Sequence, residues 1–281
     1  MKCFPNATLE EFDSRLFADE EVQFSSYCYR IEAIRILARV LAISNVPDVH
    51  PDQIQAVDNA LTAWRHHLPP SKIDCTCTHG EVDQMMFQAH FIIHMARIFL
   101  HFPRSNLLST LPTTAEIACA QRISQSYPAS ALHAIKATNA SKELANLATI
   151  PWPVQKHTPF FICGLVLSGM VQLSICSVHE RKCLDQHRDR VVLITGVLKS
   201  VSQTWAVSRY VLQQLKRVAA EVFDGPSKQA TVAQASSAND SGIGTATPNV
   251  DDISWLDLFD IQGLQNLMPF DLDVAERTVS S

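Results

Sequence analysis

The sequence predicts an all-α protein, a bundle of roughly seven to nine helices followed by a disordered linker and an acidic C-terminal segment. Apolar residues recur at spacings of three and four along most of residues 25–223, which places them on one face of a helix. The period-two alternation of a half-buried strand does not occur there. With 281 residues, 47% apolar and 18% charged, the chain can bury one substantial core.

Two amphipathic helices are predicted before residue 70. The first lies within residues 25–44, and its apolar stripe consists of Ile31, Ile34, Leu37, Ala38 and Leu41. The second begins at Pro51 and ends before Pro69, because proline fits the first turn of a helix but cannot continue one. Its stripe consists of Ile54, Val57, Leu61, Trp64 and Leu68.

Four further segments have helical patterns. Residues 81–102 are apolar on nearly every side, which predicts a central helix that ends at Pro103. Residues 113–126 and 130–148 are polar enough for surface helices. The segment 185–223 is too long for one ordinary helix, and we expect an interruption at Gly196 or in the region of Ser200 and Ser202.

Residues 160–176 form a run of seventeen residues without a charge. A bilayer core needs roughly twenty such residues, and this run contains two Gly, two Ser and a Gln. We therefore favour a central helix of a bundle, packed closely through Gly164, Ser168 and Gly169, over a membrane span. No membrane partner is expected. The acidic first thirty residues contain neither a secretory signal nor a transit peptide, which favours cytosol or nucleus.

Metal binding and catalysis have weak support in the sequence. Eight cysteines occur without a regular framework, so we expect reduced thiols. One cluster contains potential zinc ligands, but its C-x-C pair lacks the second spaced pair of a zinc site, and an exposed loop is favoured. That cluster consists of His66, His67, Cys75, Cys77 and His79. We expect no cofactor and no metal.

A stripe of polar residues lies along one face of the predicted central helix, at positions i, i+4, i+7 and i+11. It consists of His90, His94, Arg97 and His101. A pair such as His90 and His94 can hold a metal or act in acid–base chemistry, but either task normally needs a carboxylate on the same face, and none occurs there. Buried, hydrogen-bonded histidines or a solvent-facing seam are favoured. Hydrolase, phosphate-loop and dinucleotide motifs are also missing, so we do not expect an enzyme.

Charge is distributed unevenly along the chain. The net charge of residues 229–281 is −7, whereas that of the whole chain is −5. Residues 1–228 therefore have a net charge of +2. A domain that neutralises DNA phosphates needs a concentrated basic field, so we expect no direct specific DNA binding. The composition changes to Gly, Ser, Thr, Ala, Asn and Pro over 224–250, which predicts a disordered linker between a domain at 1–223 and a segment at 251–281.

The C-terminal segment alternates large apolar residues with aspartates. Such alternation on a flexible tether is typical of transcriptional activation segments, whose apolar side chains enter a groove of the transcription machinery or a coactivator. The alternative is a terminal helix that folds back onto the body. The predicted anchors are Trp255, Leu258, Phe259, Ile261, Leu264, Leu267 and Phe270.

Three stretches resemble a known family. IHMARIFLHFPRSNL (93–107), IPWPVQKHTPFFICGLVLSGMVQLSIC (150–176) and DRVVLITGVLKSVSQTWAVSRYVLQQLKRVAAEVF (189–223) are similar to the C-terminal part of the regulatory, or middle homology, domain of fungal Zn2Cys6 transcription factors. The resemblance covers about residues 20–223. It implies an all-α fold, a nuclear location, and control of transcription of a metabolic or secondary-metabolite gene set, with the acidic tail as activator.

The chain departs from that family at one motif. Family members bind DNA through six cysteines in two C-x2-C-x6-C arms, and no C-x2-C occurs here. Met1 also falls where relatives are already inside the helical domain. We expect either a truncated gene product or a regulator that acts without its own DNA-binding module, for example by dimerisation with a DNA-binding relative. A small-molecule sensor with a pocket around His90 and His94 is the main alternative, and an enzyme that uses these histidines is a weaker one.

Overall fold

The computed structural model contains eight α-helices and no strand within the residues it describes, which confirms the all-α prediction. Thr76 and Val82 form an isolated antiparallel bridge. The structure describes residues 8–15, 24–44, 46, 49–76, 80–112, 130–150, 153, 156–178 and 184–234. The helices are α1 (Leu9–Ser14), α2 (Ser26–Ser44), α3 (Pro51–His66), α4 (Gln84–His101), α5 (Ala131–Ala148), α6 (Pro159–Val178), α7 (Leu184–Val201) and α8 (Ala206–Gln234).

Two helices, α4 and α6, form the centre of the compact unit that ends at Gly225. Thirteen of the 18 residues of α4 and fifteen of the 20 residues of α6 are buried. α4 packs against α2, α3, α5 and α6, while α6 packs against α4, α5 and α7. The sequence predicted a central position for both, because their apolar residues surround the helix instead of forming one stripe.

The apolar helix α6 has the length and composition of a membrane span, the one such helix among the described residues. Within the fold, however, 83% of the most apolar 18-residue segment of this helix is buried. Its hydropathy is therefore accounted for by packing against neighbouring helices, as in the core-helix interpretation of residues 160–176.

Hydrogen bonds connect the small polar residues of α6 to its neighbours. Ser168 donates its hydroxyl to the carbonyl oxygen of Ser141 on α5, at 2.9 Å. Gln172 donates to the Ser141 hydroxyl at 2.6 Å, and its side-chain oxygen lies 2.7 Å from Nδ1 of His187 on α7. Ser141, Ser168 and Gln172 are fully buried. Because each buried polar group has a partner, α5, α6 and α7 can pack without a large desolvation penalty.

The predicted apolar stripe of α2 is wrong for most of its residues. Ile34 and Leu41 are 42% and 40% exposed, and only Leu37 of that stripe is buried. The helix has apolar residues on two faces, and periodicity alone could not decide which face meets α4. The buried face consists of Tyr29, Ala33, Ile36, Leu37, Val40 and Ser44.

The interruption between α7 and α8 lies at residues 202–205, as predicted for the Ser200 and Ser202 region, whereas Gly196 lies inside α7. Ser208 of α8 donates its hydroxyl to the Leu198 carbonyl at 2.8 Å, which secures the turn.

The predicted linker, 224–250, begins inside α8, whose backbone is helical to Gln234. The change of composition to Gly, Ser, Thr, Ala, Asn and Pro after residue 223 predicted the start of the linker there, but Lys228, Gln229 and Ala230 favour helix. Residues 235–250 lie outside the described residues.

Close packing of α4 against α6 leads to a test at a glycine. A Cβ atom added at Gly164 would overlap the ring of Phe91, so Gly164→Ala should lower the free energy of unfolding by about 1–3 kcal/mol. Gly196→Ala is the matched control, since a Cβ there meets nothing within 4 Å and should stabilise the helix by up to about 1 kcal/mol. Denaturant unfolding measures both. Equal effects at the two positions would contradict the packing described here.

Candidate functional site

The histidine stripe of α4 is buried, and each histidine has a different environment. His90, His94 and His101 are 6%, 5% and 1% exposed. His90 Nε2 lies 3.2 Å from the carbonyl oxygen of Lys72, while Nδ1 of His94 has no hydrogen-bond partner among the described residues. Burial lowers the pKa of His94 to about 3, with further lowering by the charge of Arg97. The stripe is therefore part of the core instead of a single cluster that could hold one metal ion.

A polar cluster forms at the C-terminal end of α4, around Asp58 of α3. His101 Nε2 lies 3.0 Å from Asp58 Oδ1, and Lys136 of α5 forms an ion pair with Asp58 Oδ2. On its other side, His101 Nδ1 lies 2.8 Å from Nδ1 of His133. The Asp58 cluster, defined as Asp58, His101, His133 and Lys136, connects α3, α4 and α5.

The geometry of the Asp58 cluster determines where its protons lie. Two facing ring nitrogens 2.8 Å apart can form a hydrogen bond only if one carries a hydrogen and the other does not. Because His101 donates from Nε2 to the carboxylate, its Nδ1 accepts from His133 in the neutral form. The two imidazoles therefore cannot both be cations in this arrangement.

The pKa values of the cluster follow from burial and charge. Burial alone would raise the pKa of Asp58, but hydrogen bonds from His101 and Lys136 hold it well below its usual range. Burial lowers the pKa of His133 to about 4, together with the neighbouring positive charges. His101 also has a lowered pKa, because its burial outweighs the attraction of Asp58. We conclude that His101 is neutral and that Lys136 balances the carboxylate.

Sequence reasoning missed Asp58 as the carboxylate beside the histidine stripe, because it comes from another helix. A signal was present, since Asp58 lies four residues after Ile54 and three before Leu61, on the apolar face of α3. The cluster borders a cavity of about 310 Å³. His101 is nearly inaccessible and both its ring nitrogens are occupied, so this histidine connects helices and is not a free base.

A larger apolar pocket of about 350 Å³ lies beside the N-terminal turns of α4 and α6. The ring centroids of Phe91 and Phe161 are 4.9 Å apart, and His157 stacks on Phe161 at 4.0 Å. Gln84 donates to the carbonyl oxygen of Lys156 at 3.4 Å, which holds the segment before α6 against α4. We call this the aromatic pocket. Its lining residues include Arg30, Ile34, Phe87, Phe91, Lys156 and Phe161.

The aromatic pocket is not the pocket predicted around His90 and His94, neither of which lines it. Its α4 residues are on another face of that helix, and α2 contributes Arg30, Ile34 and Leu37 at i, i+4 and i+7. The sequence predicted Ile34 to lie in a buried stripe. Its side chain is instead exposed because it lies at this pocket.

The predicted zinc cluster is only partly described. Cys77 and His79 lie outside the described residues, His66 and His67 are exposed, and Cys75 is buried. Burial, with the charges of Asp74 and Asp83, raises the pKa of the Cys75 thiol to about 12, which disfavours the thiolate that binds zinc. Among the described residues, no group of three potential ligands forms a metal site. The predicted anchors of the tail also lie outside the described residues.

Comparison with known proteins gives one informative match. No protein-family model and no solved structure matches the chain. The chain is similar to the C6 finger domain transcription factor iacK of Pestalotiopsis fici, with 35% identity over 216 residues. These residues make up 76% of this chain and 32% of the relative. The chain therefore spans about a third of the length of the curated relative it matches.

The Asp58 cluster predicts a large loss of stability when its carboxylate is removed. Asp58→Ala leaves Lys136 and the N–H of His101 without their partner and should lower the free energy of unfolding by about 2–4 kcal/mol. Asp74→Ala, at an exposed loop carboxylate, is the control and should change it by less than about 0.5 kcal/mol. Similar values for the two variants in denaturant unfolding would show that the cluster does not stabilise the fold.

Burial of His94 predicts a loss of stability in acid. Its pKa is about 3 in the fold, against about 6.5 in an unfolded chain, so between about pH 6.5 and pH 3 the unfolded state binds the proton and the folded state largely does not. At pH 5 the resulting penalty is about 2 kcal/mol. His94→Leu should reduce the difference between the unfolding free energies at pH 7 and pH 5 by about this amount.

The control for His94 is His66→Leu at an exposed position of α3, which should leave that difference as it is in the wild type. An unchanged difference in His94→Leu would contradict the assignment of a buried neutral imidazole.

Proposed function

We propose that this chain belongs to the fungal C6 finger transcription factors and regulates transcription in the nucleus. The observation that supports the proposal is the 35% identity to a C6 finger transcription factor, which extends over 216 residues and about three quarters of this chain. The match is too long to rest on a single motif. It agrees with the all-α architecture implied by the family resemblance of residues 93–107, 150–176 and 189–223.

The regulated genes are proposed to be metabolic, and in particular secondary-metabolite genes. This step rests on the family resemblance, since no residue of the described structure identifies a gene set.

Promoter recognition is not assigned to any residue of these 281. A C6 finger needs two cysteine arms with C-x2-C spacing, which this sequence does not contain. The net charge of residues 1–228 is only +2, too small for a strongly basic DNA-binding surface. We propose that contact with DNA is made outside these residues, and that one arrangement is the pairing of this chain with a DNA-binding relative.

An enzymatic function has less support than a regulatory one. In the Asp58 cluster both nitrogens of His101 and both oxygens of Asp58 are engaged by other protein groups. A reacting group would need a free, accessible nitrogen or oxygen.

The acidic C-terminal segment, 251–281, is proposed to recruit the transcription machinery or a coactivator. Its apolar side chains would enter a groove of the partner, while the aspartates between them keep the free segment soluble and extended. Because a few buried aromatic residues usually supply most of the binding energy of an interface, Trp255, Leu258 and Phe259 are the proposed principal anchors.

A reporter experiment tests the activation segment. Fusion of residues 251–281 to an unrelated DNA-binding domain should activate a reporter, and replacement of Trp255, Leu258 and Phe259 by Ala should remove most of that activity. Immunoblotting should show equal amounts of each fusion.

Replacement of Asp257, Asp260 and Asp271 by Asn is the matched triple control. It should reduce activity much less, because exposed charges act mainly on solubility and encounter rate. An inactive parent fusion, or one that tolerates the triple Ala change, would favour a terminal helix that docks onto the body.

A further inference from the structure

The guanidinium of Arg30 has an unusual position on α2. Its Nε atom is buried, and the side chain has neither a hydrogen bond nor an ion pair among the described residues. Arginine is almost always charged, and its fork of donors matches the two oxygens of a carboxylate. Within the described residues Nε therefore lacks an acceptor, and the half-buried guanidinium can donate to a ligand that enters the pocket it lines.

The walls of the pocket that Arg30 lines are mostly aromatic and aliphatic, and its other polar lining residues are Gln84, Gln88, Lys156, His157 and Thr158. Phe87, Phe91 and Phe161 surround it with ring centroids 4.9–6.3 Å apart, and Ile34 and Phe160 lie at its edge, each about two-fifths exposed. The volume of about 350 Å³ falls within the range of small-molecule pockets, about 300–1,000 Å³. An apolar or aromatic body of modest size fits such walls.

The charged side chains around the pocket have one sign. Arg30 and Lys156 line it, and of the residues that the structure describes, none with a carboxylate does so. The N-terminal turn of α6 adds the positive end of a helix dipole on the same side. The single histidine at the pocket, His157, has a pKa lowered by burial and is neutral. A ligand with negative charge is therefore favoured.

We propose that the aromatic pocket binds a small organic carboxylate, with the apolar body between Phe87, Phe91 and Phe161 and the carboxylate on Arg30. This site goes beyond the proposed regulatory function and does not rest on it. A small molecule fits better than a peptide helix, because one compact cavity would hold only one or two side chains of a helix, whose anchors repeat over two turns or more.

A binding experiment with the purified full chain tests the site. The probes are 3-phenylpropanoate and its neutral match, 3-phenylpropan-1-ol, measured by isothermal titration calorimetry. The carboxylate should bind about tenfold more tightly than the alcohol or better, since a charge-assisted bond to guanidinium is formed only by the anion. Raising the salt concentration should weaken binding of the carboxylate more than binding of the alcohol.

Substitutions in α2 test whether Arg30 binds the carboxylate of the probe. Arg30→Gln should remove the preference for the carboxylate, and Arg30→Lys should retain part of it because the charge remains without the fork. Arg39→Gln, at an exposed arginine of the same helix that does not line the pocket, is the matched control and should bind as the wild type does. Circular dichroism shows whether each variant folds.

A second pair of variants tests the site without a substitution at Arg30. Ile34→Glu changes an exposed position one turn away and places a competing carboxylate beside the guanidinium, so it should abolish binding of the probe, while Ile34→Gln removes the same apolar side chain without adding a charge and should weaken binding much less.

Three outcomes would overturn the proposal. The first is equal affinity for acid and alcohol that Arg30→Gln does not change, and the second is the lack of any binding by folded wild-type chain at millimolar probe. The third is binding of an acidic, apolar peptide that depends on Arg30 while the free carboxylate does not bind, which would assign the pocket to a protein partner. None of these measurements involves transcription, so their outcome tests the pocket independently of the proposed regulatory function.

Discussion

The structure depends on the burial of α6, a helix of 20 residues with no charged side chain between Pro159 and Val178. Such a helix cannot leave any face in water without a large cost, so other helices must surround it. α4 covers part of it and is itself apolar on most sides, α5 and α7 cover further parts, and Leu215 of α8 lies against Gly169. Contact between α4 and α6 is possible because Gly164 leaves room for the ring of Phe91. The remaining helices are then arranged around this pair.

The sequence was sufficient for those features that depend on local pattern. Helix limits at Pro51, before Pro69 and at Pro103, the break near Ser202, and the central positions of α4 and α6 all follow from residue type and periodicity. Features that depend on which helices become neighbours could not be derived. The buried face of α2 is the clearest case, because Ile34 and Ile36 are equally apolar and only the position of α4 decides between them.

The same limit applies to the candidate sites. Asp58 is separated from His101 by 43 residues, and the pairing depends on how α3 crosses α4. The aromatic pocket needs side chains from three separate segments, of which Arg30 alone shows nothing unusual in the sequence. The tail is the reverse case: its composition supports a functional hypothesis, whereas its residues lie outside those the structure describes.

The fit between Gly164 and Phe91 has a consequence for how this protein can change during evolution. The two positions are 73 residues apart in the chain but share one volume, since a side chain at one occupies the space of the ring at the other. A larger residue at 164 is less costly together with a smaller one at 91, so the pair should co-vary among relatives. Because Phe91 also forms a wall of the aromatic pocket, a substitution that reshapes this wall also changes the packing of α4 against α6.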